Sequence, residues 1–298
     1  MRIATWNVNS IRSRIDRVAA WLERSDVDVL AIQETKCRED QFPLLPLHTM
    51  GYEVAHFGVN QWNGVAIISR VGIEDVATSF GEAQPQFGEP AILEPRALGA
   101  TCGGVRVWSI YAPNGRELDH PHYTYKLDWF AELSESARGW LAEDPEAQIA
   151  LMGDWNVAPE DEDVWDMAAF AGSTHVSEPE RAAYANLLDV GFDEVTRGYT
   201  PGPGVYTFWD YQQLRFPKRQ GMRIDFVLAT ERLRARVTGA SIDREERKGK
   251  GASDHAPVIV DLDEARDGDI GPVVPPPSLK GRSASGPRPT RRSSAASG

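Results

Sequence analysis

Short apolar runs that stop on an acid or an amide recur along this chain, and stretches with helical periodicity separate them. Ile149-Ala150-Leu151-Met152 runs into Gly153-Asp154-Trp155-Asn156, and residues 27–32 run into Gln33-Glu34. Such runs have the length of buried strands, too short for core helices. Strands alternating with long amphipathic helices predict an α/β sandwich. If strand geometry persists through Asp154 and Asn156, both side chains point to one side and share one ligand, a metal, a phosphate or both. Gly, Asp and Asn are equally ordinary turn residues, so the rest of the chain has to decide.

The opening residues 2–7 read as a strand, after which Asn9 or Ser10 caps a helix carrying Ile11, Ile15, Val18 and Leu22 on one face. Strands are expected over 51–57 and 62–69, with loop over 81–95. Strands over 96–102 and 105–111 flank the hairpin signal Gly103-Gly104. Tyr123, Leu127, Phe130, Leu133, Ala137, Trp140 and Leu141 predict a long helix over about 121–143. Ser177-x-x-Glu180 has the form of a capping box for a helix closed by Gly191. Residues 206–209, 224–229, 237–242 and 257–262 complete the expected strands.

The composition, 41% hydrophobic and 26% charged over 298 residues, is that of a globular chain with a large core. No apolar run reaches the roughly 18 residues of a membrane span, and the start has no signal-peptide pattern, so a soluble, cytoplasmic protein is expected. Cys37 and Cys102 have no partners at metal-ligand spacing, which argues against zinc sites and disulfides. The net charge of −12 disfavours a polyanionic partner taken as a sum. Its distribution points the other way: Arg12, Arg14 and Arg17 form one basic strip, and Arg215, Lys218, Arg219 and Arg223 another. Residues 1–264 are expected to form the folded domain. From Ala265 on, Pro, Ser, Gly and Arg dominate, predicting a disordered basic tail over 265–298.

Asn7, Glu34, Tyr111, Asp154, Asn156 and Asp225 stand at strand ends, and Ser253-Asp254-His255 precedes the last strand. Oxygen donors without thiolate suit a hard cation such as Mg²⁺, for which Glu34 is the best single ligand. Phosphodiester hydrolysis would need an activated water and donors for the charge that builds on phosphorus. Asp154 is suited to take the proton, with Asn156, Tyr111 and His255 as donors. Asp225 paired with His255 would fix one tautomer and favour the imidazolium.

In this order and spacing, Trp6-Asn7-Val8-Asn9, Ile32-Gln33-Glu34-Thr35-Lys36, Tyr111-Ala112-Pro113-Asn114, Gly153 to Ala158, Tyr206 to Asp210, Arg223-Ile224-Asp225 and Ser253 to Pro257 resemble one family. It is that of exonuclease III and the related abasic-site endonucleases of the endonuclease/exonuclease/phosphatase superfamily. The resemblance, running from residue 1 to about 263, implies a four-layer α/β sandwich of two packed mixed sheets flanked by helices. It implies a monomeric Mg²⁺-dependent nuclease, with Mn²⁺ able to substitute, that acts on double-stranded DNA with abasic sites or blocked 3′ ends. Catalytic roles would fall to Tyr111, Asp154, Asn156, Asp225 and His255. Metal contacts would come from Asn7, Glu34, Asp154, Asn156, Asp254 and His255. DNA contacts are expected from Arg12, Lys36, Asn114, Arg116, Phe208, Trp209, Met222 and Arg223, with Phe208, Trp209 and Met222 walling a pocket for a base-free sugar. A phosphatase of inositol phosphates or lipid head groups, or a binding-only member of the fold, are the alternatives.

Overall fold

The structure, a computed structural model, describes residues 1–263. The expected tail lies outside the described residues. The first half of the chain forms β1 (Arg2–Asn7), α1 (Ile11–Ser25), β2 (Val29–Gln33), α2 (Leu44–Thr49), β3 (Glu53–Phe57), β4 (Val65–Ser69), β5 (Glu74–Ala77), β6 (Ala97–Cys102) and β7 (Val105–Tyr111). There follow α3 (Pro121–Glu143), β8 (Ile149–Asp154), α4 (Glu178–Asp189), β9 (Phe192–Glu194), β10 (Asp225–Thr230), α5 (Glu231–Arg234), β11 (Val237–Ile242) and β12 (Val258–Leu262).

Two mixed six-stranded sheets result, ordered β11-β12-β1-β2-β4-β3 and β5-β6-β7-β8-β10-β9. Each is built on one parallel pair joined by a helical crossover, β1-α1-β2 and β7-α3-β8, and the other pairings are antiparallel. The side-chain period of two decides the layering. Ile3, Val29, Ala31, Val65 and Ile67 of one sheet meet Leu98, Ala100, Val107, Ala150, Met152 and Val227 of the other. The alternate residues Trp6, Leu30, Ile32 and Ile68 face α1 and α2, and Trp108, Leu151, Phe226 and Leu228 face α3 and α4. The fold is therefore an α/β sandwich with helices on both outer faces. Each fully buried Leu, Ile, Val or Phe in these layers contributes about 1.5–3 kcal/mol.

Several local expectations are corrected. Residues 206–209 do not form a strand: Phe208 makes single bridges to Met222 and His255, while the Thr207 side chain takes up the backbone N–H groups of Ile224 and Asp225. β4 starts at Val65, because Asn63 and Gly64 at φ 58° and 93° break the extended run. Ser10 occupies the N-cap of α1 but makes no side-chain cap bond; its N–H instead donates to the Glu34 carbonyl at 2.7 Å. Two prolines hid α2 from periodicity, and the edge strands β5 and β9 are too short to show it.

Candidate active site

The last inward-facing position of each central strand is polar. Counting in steps of two, Ile3, Thr5, Asn7 on β1, Ala150, Met152, Asp154 on β8, and Ala229, Val227, Asp225 on β10 carry the inter-sheet core into a carboxylate and amide rim. Tyr111 and Asp154 are register partners across β7 and β8, as are Asp225 and Asp154 across β10 and β8. Beneath the rim lies a sealed polar layer, in which Gln33 accepts from Thr5 and donates to Ser109 at 3.0 Å. Gly153 is required here, because a Cβ would meet the Ile110 carbonyl oxygen at 1.8 Å.

Asn7 Nδ2 donates to Glu34 Oε1 and Asp154 Oδ2, each at 2.9 Å, and Tyr111 donates to Glu34 Oε1 at 2.9 Å. His255 Nδ1 meets Asp225 Oδ2 at 2.8 Å, and its Nε2 stands 3.6 Å from Asp154 Oδ2. Burial pulls the imidazole down, but the carboxylates of Asp225 and Asp154 outweigh it and raise His255 to about 10. His255 is thus an imidazolium whose Nδ1–H donates to Asp225. Asp154 is pushed up to about 7, by burial first and by Asp225 against the opposing pull of His255. Burial also opposes ionisation of Glu34, yet Lys36 and Asn7 hold it below the usual carboxylate range. Tyr111 is driven well above its ordinary value by burial and Glu34, and stays a donor. Asp225 Oδ1 is buried without a hydrogen-bond partner.

Residues 4–255 match the Endonuclease/Exonuclease/phosphatase family. The chain belongs to that family. The exodeoxyribonuclease III of Haemophilus influenzae is 26% identical over 269 residues, spanning 87% of this chain and 98% of that protein. A 3′ phosphatase from Neisseria, NExo, solved with a product DNA hairpin, is 36% identical, with a TM-score of 0.82 over 89% of this chain and 100% of that one. An AP endonuclease from Archaeoglobus fulgidus is 35% identical, with a TM-score of 0.81 over the same shares.

Enzymes of the Endonuclease/Exonuclease/phosphatase family depend on a divalent metal. The residues present fit a hard cation: Glu34 and Asp154 lie on either side of one amide and offer oxygen donors, and Asp225 Oδ1 is buried with no hydrogen-bond partner. Asp154, Asp225 and His255 also fall within 4.8 Å of one another. Nδ1 of His255 is bonded to Asp225, which leaves Nε2 facing Asp154.

The structure brings Asn7, Glu34, Tyr111, Asp154, Asn156, Asp225 and His255 together, with Asp254 half-buried nearby and accepting from Asn9 at 3.1 Å. Asp154 and Asn156 do not converge by strand alternation. β8 ends at Asp154, Asn156 turns left-handed at φ 49°, and its N–H donates to Asp154 Oδ1 at 3.0 Å. Asn156 Oδ1 faces Asn114 Nδ2 at 3.2 Å and His175 Nε2 at 3.1 Å, so this oxygen is engaged by the protein. Lys36 pairs with Glu34 at 2.6 Å, and Arg12, Asn114 and Arg116 are exposed.

Two expected DNA contacts are buried instead. Arg223 is 1% exposed and donates to the Thr200 carbonyl and the Thr196 hydroxyl, because a guanidinium inside the fold needs acceptors. Trp209, also 1% exposed, packs with Tyr206, Ala256 and Phe216. Phe208 and Met222 do line a cavity of about 230 Å³, closed by Trp165, Phe170 and His175, and the Phe208 ring lies 4.9 Å from the His255 imidazole. His175 escaped the sequence reading. Its signal is weak, a lone histidine at φ 77° whose neutral ring, lowered to about 4 by burial and then Lys126, accepts from Thr174 at Nδ1.

Proposed function

We propose that the chain is a Mg²⁺-dependent DNA-repair nuclease that incises 5′ to abasic sites, degrades duplex DNA from 3′ ends and trims blocked 3′ termini. The chain is a phosphodiester-hydrolysing nuclease of this family. The observation that carries the proposal is the meeting of Glu34, Asp154 and the Asp225–His255 pair at one end of the inter-sheet core. Mg²⁺, held by Glu34, would supply positive charge to the phosphate oxygens. Asp154, with its affinity for protons raised by burial, takes the proton of the attacking water. His255, kept cationic and oriented by Asp225, stabilises charge on the phosphate, Asn156 adds a neutral donor, and Tyr111 adds another when it turns from Glu34 to the phosphate. Asn7 fixes Glu34 and Asp154 relative to each other.

Lys36, Asn114, Arg116 and Arg12 surround the rim and face the strand backbone. The cavity behind Phe208 and Met222 takes an extruded base-free sugar, since an abasic nucleotide has already lost the stacking and pairing that resist extrusion. The enzyme works as a monomer in the cytoplasm, on the nucleoid. With Mg²⁺, a duplex carrying one abasic-site analogue and a duplex with a 3′-phosphate should both be processed faster than an intact duplex, and inositol polyphosphate not at all. Turnover of inositol polyphosphate with inert DNA would replace this function by the phosphatase alternative.

A further inference from the structure

Lys126 on α3 and Glu180 in the first turn of α4 are both 0% exposed. All three ammonium hydrogens of Lys126 have acceptors: Glu180 Oε1 at 2.5 Å, the Asn156 carbonyl at 2.6 Å and the Asn114 carbonyl at 3.4 Å. Glu180 also accepts from the backbone N–H groups of His175 at 3.0 Å and Ser177 at 3.3 Å. One buried cation therefore ties together the loop after β7, the loop after β8 and the turn entering α4.

A buried ion pair by itself adds little over a well-packed apolar pair, because desolvation offsets the attraction. Here the cation also spans two carbonyls that belong to residues facing the rim. Asn156 is left-handed at φ 49°, a conformation that persists in a non-glycine residue only where its surroundings hold it. Its amide meets Asn114 at 3.2 Å, so the backbones that Lys126 grips set where these two side chains point.

We propose that Lys126 is a positioning residue, fixing the backbones of Asn114 and Asn156 so that their amides meet the substrate phosphate in a single geometry. The inference rests on phosphodiester hydrolysis at this rim and adds to it a residue that never touches DNA. It predicts an asymmetry within the ion pair: turnover follows Lys126, whereas Glu180 matters for stability.

Lys126→Met/Glu180→Met removes both charges at similar volume and strands neither partner. Per folded molecule, its kcat should fall about 10- to 100-fold with KM nearly unchanged, the cost of a misplacement on the order of 1 Å. In ¹⁵N–¹H spectra the side-chain amide resonances of Asn114 and Asn156 should shift or broaden. Glu180→Gln, which leaves the carbonyl bonds of Lys126 in place, should lower Tm and leave both kcat and those resonances near the parent's. Lys126→Gln serves as the second variant if the double one does not fold, with the same loss of kcat and the same spectral change. Unmoved amide resonances and parental kcat in the Lys126 variants overturn the proposal. Because the resonances are read without turnover, they decide it even if the parent fails to cleave DNA.

Discussion

Two buried charge clusters in this protein differ in one respect. At Lys126 and Glu180, one cation meets one anion, and every donor of the ammonium has an acceptor. At Asp154, Asp225 and His255, two carboxylates share one imidazolium, and Asp225 Oδ1 has no partner. The first cluster is balanced and closed, a strut. The second carries surplus negative charge that the fold does not neutralise, held there by strands on both sides. Uncompensated buried charge costs stability, and that is why the proposed function puts a cation and a reacting group at this end of the core strands.

The contrast has measurable consequences. The largest is catalytic: Asp154→Asn should reduce kcat by about 10³-fold or more without lowering Tm, because it removes a carboxylate that burial already disfavours. At the balanced cluster the pattern inverts. Lys126→Met alone should lose about 3–5 kcal/mol of stability by stranding Glu180, most of it restored in the double variant. Next comes metal linkage. Saturating Mg²⁺ at about 100 times Kd should stabilise the parent by about 2.7 kcal/mol, and Glu34→Ala far less. An equal Tm gain in both would move the cation away from Glu34.

The smallest effect is on pH dependence in chelator. His255 and Asp154 are both raised in the folded state, so the native protein binds more protons than the unfolded one, and stability falls as pH rises. The His255 contribution is fully present below about pH 6.5 and lost by about pH 10. Melting curves of the parent should therefore decline across that window more steeply than those of His255→Asn. A parallel decline would show that the imidazolium is not held by its carboxylates.

Strand ends were legible in the sequence because a buried strand that stops on an acid breaks the apolar pattern locally. That is why Glu34, Asp154 and Asp225 stood out. The wall of the site did not, since Lys126, Glu180 and His175 join loops distant in sequence. One signal was there: Lys126 lies in the middle of the face of α3 that buries His122, Tyr123, Trp129, Phe130 and Leu133. The periodic stripe caught the buried Tyr123, Phe130, Leu133 and Ala137 but ran through the half-buried Leu127 and passed over Lys126 beside it. Arg223 and Trp209 were misplaced for a related reason, because residue type suggests DNA contact but burial depends on the loop path around Thr207.

The most direct measurement is cleavage of a 5′-labelled duplex bearing one abasic-site analogue by the parent enzyme, under single-turnover conditions, as Mg²⁺ is titrated from chelator upward. A site built on surplus buried carboxylate should be silent in chelator and rise to a plateau with Mg²⁺, Asp154→Asn staying at baseline throughout. Full cleavage in chelator, or a parental plateau in Asp154→Asn, would contradict it.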